Sequence, residues 1–419
     1  MDQDTDPPTD PGKLKRSADK ACEGSDLSEI TITRAVRLPD PFRVERFLSN
    51  PKLGPRLLFF SGGSALNGVA QCLKRYTHNS IHLVTPFDSG GSSQGLRVAF
   101  NMPAIGDLRS RLMALADETV LGHPDVFRLF THRFSKEAEP AELGRRLEAM
   151  IAGSHPLVEA IEQPMRTLIQ NQLGMFHAAR PKSFDLRGAS IGNLILAGGY
   201  LNQSQQLEPI IFLVAKLVGV QGTVRAVTDA NLHLGADLQN GDTVIGQHLL
   251  TGKEHAPLNI PIRDLFLNRD LSGRAPVTAR FPDRNRSLMQ SADLICYAPG
   301  SFYTSLVANL LPEGVGKAVA ARTVPKVYVP GIGADPETGD MTITDKVATL
   351  LTYLRRDAGE GCPAEKLLNF VIVDRSLPES ETRGCEAHGV RVVRLDLVSK
   401  ASAPYYDPAP LCEALVSLT

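Results

Sequence analysis

The feature that most constrains this chain is the run LLFFSGGS at residues 57–64, where four large apolar side chains end abruptly in a glycine-rich turn. A strand that is buried on both faces is a continuous apolar run rather than an alternating one, and Leu57–Phe60 fit that description. Residues 65–74 then carry apolar side chains at helical spacing. The segment therefore predicts a buried strand that opens through a turn into a helix.

The glycine turn has two interpretations that its residues leave open. Gly62 and Gly63 let the backbone approach a ligand closely, and Ser64 supplies a hydroxyl. The free N–H groups of the following helix would point at the same place, which favours a phosphate or another anion. Alternatively, the two glycines serve only the tight packing of the strand against the helix.

The alternation of strand and helix predicts the fold class. A second apolar run, Ile81–Thr85, follows the first helix, so the two runs predict a parallel βαβ unit. Beyond residue 290, short apolar runs again alternate with amphipathic helices. We therefore expect a Rossmann-like α/β fold, with a mostly parallel sheet covered by helices on both faces. Its active cleft should lie at the carboxyl ends of the strands.

Shifts in composition predict how the chain is divided. The beginning is rich in Asp, Pro, Lys and Ser and nearly lacks large apolar side chains, which predicts a disordered tail. Helical periodicity and then short strand patterns, among them Val224–Val227 and Thr243–Ile245, interrupt the α/β pattern. The predicted parts are a tail at 1–30, an α/β domain at 31–400 with a helical segment at about 103–220 and a small β-rich insertion at about 222–265, and a C-terminal extension at 401–419.

Composition also excludes several classes of function. A net charge of −1 over 419 residues shows no basic excess, which argues against a nucleic-acid partner. The sequence has no apolar run of about 18 residues and no signal-peptide pattern, so we expect a cytoplasmic protein with no membrane partner. The six cysteines form no CxxC pair and are read as reduced thiols. His82, His233 and His248 lack metal-ligand spacing and are assigned structural roles.

The loop after the second strand carries the strongest candidate for catalysis. Asp88 is followed by Ser92 and Ser93 and by two glycines, just beyond a carboxyl strand end. Asp88 could hold Mg²⁺ or accept a proton from an attacking hydroxyl, and the two serines could bond phosphate oxygens. The alternative is a polar turn whose side chains satisfy their own backbone.

Two further segments add candidates of the same kind. Asp107 stands near a helix start, where it is a catalytic candidate or a helix cap, and Arg109 suits the recognition of a phosphate or carboxylate. Asn193 follows Gly192 at the front of an apolar helix, and its amide either bonds a ligand or caps and packs the helix. The sequence does not separate these alternatives.

A second glycine turn follows the strand at 294–297. Gly300, Ser301 and Thr304 lead from that strand into a helix, which predicts a second anion site that faces the first across the sheet. Two opposed glycine turns suit a nucleotide diphosphate better than one turn does.

The order of these motifs resembles that of the superfamily of 2-phospho-L-lactate transferases (CofD) and gluconeogenesis factors (YvcK-type proteins), over roughly residues 55–400. The chain looks closer to the gluconeogenesis-factor branch, as a divergent subfamily. Its motifs read SGGSA, FDSGGSSQG, PAIGDLR, IGN, APGSFYTS and ANLL, with VPG at 329–331 and PETG at 336–339.

The resemblance implies a function that the residues alone do not. The transferase branch uses a nucleotide-linked phospholactate with Mg²⁺, so the resemblance implies Mg²⁺-assisted transfer of a phosphoryl-bearing group, with Asp88 as metal ligand. The other branch binds nucleotide sugars such as UDP-glucose, which implies instead a non-catalytic regulator of carbon metabolism or cell-wall growth. Two departures bear on this choice: Asp88-Ser89 stands where the family has Asp-Asp, and Ser64-Ala65 where it has Thr-Gly. A nucleotide or nucleotide sugar is the expected partner, and a homodimer is compatible with this fold.

Overall fold

The computed structural model describes residues 35–119, 122–252, 258 and 260–419, without the side chain of Ser92. The chain divides into two units, Met1–Val36 and Arg37–Thr419, of which the second is described below. The predicted disordered tail at 1–30 lies outside the described residues.

Strands and helices of the described residues alternate at the beginning of the α/β domain and again after residue 290, and a run of helices separates these two parts. The strands are β1 (Leu57–Ser61), β2 (Ile81–Val84), β3 (Thr223–Ala226), β4 (His233–Leu238), β5 (Thr243–Ile245), β6 (Ile262–Asn268), β7 (Leu294–Tyr297), β8 (Lys326–Tyr328), β9 (Phe370–Asp374) and β10 (Arg391–Leu395). The α-helices are α1 (Pro41–Ser49), α2 (Asn67–Leu73), α3 (Gly91–Phe100), α4 (Gly106–Ala114), α5 (Pro124–Thr131), α6 (Pro140–Ala152), α7 (Pro156–Glu159), α8 (Met165–Ala179), α9 (Ile191–Asn202), α10 (Leu207–Leu217), α11 (Gln247–Leu250), α12 (Asp283–Gln290), α13 (Val315–Ala320), α14 (Ile343–Ala358) and α15 (Pro408–Ser417).

The main sheet has seven strands in the order β10-β9-β8-β7-β1-β2-β3, and its neighbours pair in parallel. The chain runs from β1 outward to β2 and β3, and later returns to the other side of β1 with β7. The strand order therefore reverses between β1 and β7. In open α/β sheets, ligands bind in the crevice outside the carboxyl ends of the strands at this switch point. The predicted Rossmann-like fold is confirmed.

The apolar run at β1 is explained by burial on both faces, since all five of its residues are buried. Successive side chains of a strand point to opposite faces of the sheet. Leu58 and Phe60 join a core that contains residues of β4, β6 and α14. Leu57 and Phe59 join a core on the other face, formed with residues of α1, α2 and α15.

In the region of the predicted helical segment, helices α4 to α10 share a core of their own. The periodic side chains Leu143, Leu147 and Met150 of α6 are fully buried in this core. Helices α8 and α9 approach very closely, because a Cβ atom at Gly198 would lie 1.9 Å from the backbone oxygen of Gln172. Among the described residues, none of the helices is long and apolar enough to cross a membrane.

The small β-rich insertion is an antiparallel sheet in the order β5-β4-β6, which spans residues 233–268. Our assignment of Val224–Val227 to this insertion was wrong, because Thr223–Ala226 is β3 and pairs in parallel with β2 at the edge of the main sheet. Val224 and Ala226 are buried against the core of the helical segment. This packing, which local sequence does not show, decides which sheet the strand joins.

The predicted C-terminal extension contributes to the core. Helix α15 packs on α1 and α2, and Leu411, Cys412 and Leu415 are buried in the same core as Leu57.

Candidate functional site

A cavity of about 980 Å³ lies beside the carboxyl ends of β1 and β2, at the switch point of the sheet. It takes its walls from segments far apart in the chain, which the sheet and the helical segment bring together. The residues that line it are Gly63, Ser64, Asp88, Gly90, Gly91, Ser93, Gln94, Gly95, Leu96, Gly106, Asp107, Arg109, Ser110, Arg133, Phe134, Lys136, Phe184, Asp185, Arg187, Gly188, Ala189, Ser190, Asn193, Leu194, Gln247, His248, Thr251, Ser301 and Ser305.

Most of the predicted site residues meet in this cavity. Those that line it are Gly63, Ser64, Asp88, Ser93, Asp107, Arg109, Asn193 and Ser301. Gly62, Gly300 and Thr304 do not line it. Ser92 lies in α3, but its side chain is outside the described part of the structure.

The first glycine turn serves close packing. A Cβ atom at Gly62 would lie 2.7 Å from Thr85 Oγ1 and 3.0 Å from Ser305 Cβ, so a side chain there would push β1 away from its neighbours. Gly63 has φ +58°, a left-handed conformation that favours glycine. The two glycines therefore serve the tight packing of the strand, as one of the two interpretations of the turn requires. This packing is compatible with the other interpretation, in which the backbone of the turn approaches a ligand.

The amide that we expected to face a phosphate is bonded to a carboxylate of the chain. The N–H of Gly63 donates to Asp107 Oδ2 at 2.7 Å, and Arg111 Nη2 approaches the Gly63 carbonyl oxygen at 3.4 Å. Arg111 is 1% exposed, and its Nε and Nη1 have no hydrogen-bond partner among the described residues. Burial lowers the pKa of Arg111 to about 10, while the charge of Asp107 acts in the opposite direction.

The second glycine turn also holds carboxylates of the chain itself. The N–H of Phe302 donates to Asp335 Oδ2 at 2.7 Å, and the N–H groups of Tyr303 and Thr304 donate to Glu337 Oε2 at 2.9 and 2.8 Å. The Thr304 hydroxyl donates to Glu337 Oε1 at 2.5 Å. The predicted second anion site therefore needs correction at Phe302 to Thr304, where internal carboxylates take the backbone donors. Ser301 keeps its place in the cavity wall.

Glu337, which accepts bonds from the second turn, is a buried carboxyl group with a raised pKa. It is 4% exposed, and burial together with the charge of Asp335 raises its pKa to about 7. The bonds from the second turn act in the opposite direction, since each stabilises the ionised carboxylate.

Asp88 is presented to the cavity by a loop that a buried arginine fixes. Asp88 Oδ1 accepts the N–H of Gly90 at 3.1 Å. Arg97 Nη1 donates to the carbonyl oxygens of Phe87 and Asp88, both at 3.2 Å, and its Nη2 donates to that of Leu232 at 2.6 Å. Burial lowers the pKa of Arg97 to about 10. The polar-turn alternative requires a hydrogen bond from the loop backbone to the Asp88 side chain, and the bond from Gly90 meets this requirement. Asp88 also lines the cavity.

The beginning of α4 packs directly on the Asp88 loop. A Cβ atom at Gly106 would lie 2.7 Å from Ser93 Oγ and 3.5 Å from Asp88 Oδ2. Asp107, the next residue, lines the same cavity as Asp88. The tertiary structure thus brings two carboxylates, from separate segments of the chain, to the lining of one cavity.

Basic side chains form one wall of the cavity. Arg109, Arg133, Lys136 and Arg187 line it. Burial and then the charge of Arg133 lower the pKa of Arg109 to about 10. Arg133 Nη1 donates to the Gly188 carbonyl oxygen at 3.2 Å.

Sequence reasoning missed several of these residues. Arg133 and Lys136 belong to the helical segment and reach the cavity only because that segment packs beside β2 and β3. Nδ1 of His248, which we assigned a structural role, lies 2.8 Å from Ser89 Oγ in the cavity wall. His82 fits its structural assignment, because it is fully buried and stacks on Phe59 with ring centroids 5.0 Å apart.

Two carboxylates of the cavity, those of Asp88 and Asp107, are the groups that could contact Mg²⁺. The described residues contain no group of three or more His, Cys, Asp or Glu side chains that could hold a metal ion. Mg²⁺ is usually bound through one or two carboxylates together with water and substrate phosphates. Asp88 and Asp107 fit a site in which one or two carboxylates bind Mg²⁺ together with water and substrate phosphates.

The parallel sheet, its switch point and the adjacent cavity define a Rossmann-like α/β protein whose site combines glycine turns, carboxylates and guanidinium groups. Within this class, the chain belongs to the family described as 2-phospho-L-lactate transferase CofD, whose family model matches residues 57–406. The predicted family is confirmed.

Related proteins carry the name of the second branch. The gluconeogenesis factor of Bacillus subtilis is 27% identical over 345 residues, which cover 82% of this chain and 86% of that protein. The gluconeogenesis factor of Listeria monocytogenes is 25% identical over 355 residues, which cover 82% and 89%. A crystal structure of a UPF0052 family member from Bacillus halodurans aligns with a TM-score of 0.63 and 22% identity, over 87% of this chain and 99% of that chain. This likeness shows the shared fold.

Proposed function

We propose that this protein binds a nucleotide diphosphate, such as that of a nucleotide sugar, in the cavity at the switch point. The observation that carries the proposal is the presence of both Arg109 and Arg133 in the lining of the cavity, where the charge of Arg133 contributes to the lowered pKa of Arg109. Like charges that are removed from water repel each other strongly, and a bound anion offsets that cost. Arginine also matches the oxygens of a phosphate in a bidentate geometry.

The size and position of the cavity support a ligand larger than inorganic phosphate. Its volume of about 980 Å³ lies at the upper end of the range for small-molecule sites. The basic wall gives one part of the cavity a preference for the diphosphate. Gly63, Ser64 and Ser301 also line the cavity, and they follow β1 and β7 in the chain.

A transfer reaction is a second candidate, which the presence of both Asp88 and Asp107 in the cavity favours. Asp88 would hold Mg²⁺ together with phosphate oxygens, and the ion would stabilise charge on a leaving phosphate. Asp107 and the basic wall would orient the phosphoryl-bearing group, and Asp88 would position an acceptor hydroxyl. The competing function is a non-catalytic regulator that binds a UDP-sugar, in line with the names of the relatives.

Calorimetric titration tests the binding proposal. The protein is titrated with UDP-glucose, UDP-N-acetylglucosamine, GDP and GTP, with and without Mg²⁺. The Arg109→Gln and Arg133→Gln variants should each bind the preferred nucleotide at least about tenfold more weakly, because each loses a charge-assisted hydrogen-bond donor. Arg383→Gln, at an exposed position, is the matched control and should leave the affinity unchanged. If none of the nucleotides binds, the proposal fails.

Product analysis separates the transferase from the regulator. The protein is incubated with the nucleotide that binds best and with Mg²⁺, and released nucleotide is measured by chromatography. Release that Asp88→Asn abolishes supports transfer. Tight binding without release, unaltered in the Asp88→Asn variant, supports the regulator.

A further inference from the structure

Two cysteines meet where the C-terminal helix packs on the helix that leaves the first glycine turn. Cys72 lies on α2 and is partly exposed, whereas Cys412 lies on α15 and is buried. Sγ of Cys412 donates to the carbonyl oxygen of Val69 at 3.5 Å, one turn before Cys72 on the same helix. The Cys412 thiol therefore contacts the turn of α2 that leads to Cys72.

The packing of the two helices places this pair in the middle of their contact. Toward the start of α2, a Cβ atom at Gly68 would lie 3.6 Å from Pro408 Cγ. Beyond its end, the hydroxyl of Tyr76 donates to Glu413 Oε1 at 3.2 Å. One contact before Cys72 and one after it therefore fix how α2 and α15 lie along each other. Pairs of Cα atoms from the two helices lie within 8 Å.

We propose that Cys72 and Cys412 are a redox-active pair, which hydrogen peroxide converts into a disulfide between α2 and α15. Cys72 is the residue that peroxide reaches, because its side chain is partly exposed. Cys412 is reached through Cys72, because its own side chain is fully buried. The inference is independent of the ligand proposed for the cavity.

The local charges favour Cys72 as the attacking group. The hydrogen bond from Cys412 lowers the pKa of Cys72 to about 7 against the effect of burial, and the charge of Arg75 acts in the same direction as that bond. Thiolates, rather than thiols, react with peroxide, and partly exposed cysteines beside a cation are the susceptible ones. Burial instead raises the pKa of Cys296 and of Cys385, which leaves them as thiols.

The reaction balances in two steps. In the first, the Cys72 thiolate attacks one oxygen of peroxide, the O–O bond breaks, and the departing hydroxide takes a proton to leave as water. In the second, the sulfur of Cys412 attacks the sulfenic acid of Cys72, the S–O bond breaks and the S–S bond forms. The proton of Cys412 leaves with the hydroxyl group as a second water. The two thiols lose two electrons, and peroxide gains them.

The disulfide would join the C-terminal helix covalently to the helix that follows the Gly62–Ser64 turn. Helix α2 is also tied to α4, because Asn67 Nδ2 donates to Ser110 Oγ at 2.8 Å. Ser110 lines the cavity. Oxidation would thus fix a helix that connects the turn, the cavity wall and α15.

The test is a thiol count and a peptide map of the full chain after treatment with hydrogen peroxide. We expect the loss of two alkylatable thiols, a mass lower by two hydrogen atoms, and a cross-linked peptide pair that contains Cys72 and Cys412. Dithiothreitol should restore both thiols. The Cys362→Ser variant is the matched control and should lose two thiols in the same way.

The Cys412→Ser variant should leave Cys72 as a sulfenic acid that dimedone traps. Should that buried substitution prevent folding, the peptide map of the unaltered chain decides the question alone. The proposal is overturned if peroxide leaves Cys72 reduced, if it carries Cys72 to the sulfinic acid with Cys412 unmodified, or if only other cysteines become cross-linked.

Discussion

At the scale of single residues, carboxylates of the chain occupy backbone amides that a glycine-rich pattern assigns to phosphate. Asp107 accepts the N–H of Gly63, while Asp335 and Glu337 accept those of the turn after β7. A glycine turn before a helix presents N–H groups whether its anion is a ligand or a side chain. These carboxylates belong to residues far along the chain, so the pattern predicts that an anion binds but not which one.

Replacing Asp107 by alanine should lower the free energy of unfolding by about 1–3 kcal/mol, because the amide of Gly63 and the buried Arg111 lose a charged partner. Asp107→Asn keeps an oxygen that can accept the N–H and should lose less. Urea denaturation of the two variants measures the difference. If both variants were as stable as the unaltered protein, the bond between Asp107 and the amide of Gly63 would contribute nothing to stability, contrary to this expectation.

Glu337 should make stability depend on pH. Its pKa is about 7 in the folded protein and 4.5 as the ordinary value, so the folded state binds the proton more tightly. The contribution of this group is therefore largest below pH 4.5 and is lost as the pH rises through about 7. At about 1.4 kcal/mol for each pKa unit, the loss is on the order of 3–4 kcal/mol at most.

The unaltered protein and the Glu337→Gln variant should differ less in their free energy of unfolding at pH 8 than at pH 5. Urea denaturation at each pH measures this difference. Glu360→Gln, at an exposed position, is the control, and its difference should stay constant. A difference that grows with pH would show that the pKa of Glu337 is lowered instead.

At the scale of elements, the sequence predicts which elements form better than it predicts their neighbours. The run Leu57–Phe60 was predicted correctly because a strand buried on both faces leaves no polar position. The strand Thr223–Ala226 was assigned to the wrong sheet because the whole helical segment separates it in the sequence from its partner, β2. Arg133 and Lys136 were missed for the same reason, since only the packing of that segment brings them to the cavity.

The contact between α8 and α9 should not tolerate a side chain at Gly198. A Cβ atom there would lie 1.9 Å from the backbone oxygen of Gln172, so Gly198→Ala must separate the two helices. We expect a loss of about 3 kcal/mol or more, at or above the upper end for overpacked cores. Thermal unfolding followed by circular dichroism measures it.

Gly144→Ala is the matched control for this contact. Gly144 lies within α6, and no atom lies within 4 Å of a Cβ built there. Alanine should stabilise that helix by about 0.5–1 kcal/mol, because glycine loses more backbone entropy on folding. If Gly198→Ala behaved like Gly144→Ala, the close approach of α8 and α9 would be wrong.

At the scale of the whole molecule, three cores surround one sheet, and a short C-terminal helix completes one of them. Residues 401–419 carry too few periodic positions for the sequence to reveal this role. The fold class followed from local apolar runs, and the family followed from the order of the motifs. The identity of the groups inside the cleft did not, because contacts between distant segments decide it.

Ending the chain after Tyr406 should prevent stable folding, since it uncovers the side of the sheet that Leu57 and Phe59 occupy. Each fully buried apolar side chain contributes about 1.5–3 kcal/mol, and the removal of several approaches the whole stability of a typical domain. Leu411→Ala should cost about 2–5 kcal/mol, whereas Leu53→Ala, at a position 75% exposed, should cost little. Urea denaturation compares them, and equal losses would contradict the buried position of α15.

On the ribosome, β1 and β2 emerge together, but β7 follows only much later, because the contact between Arg56 and Asp293 spans 237 positions. Until then, one edge of β1 has no neighbouring strand, and the cavity lacks the wall that contains Ser301 and Ser305. An unpaired apolar strand edge invites association with other chains. The growing chain exposes this edge throughout that interval, and the wall of the cavity is complete only after residue 305 has been translated.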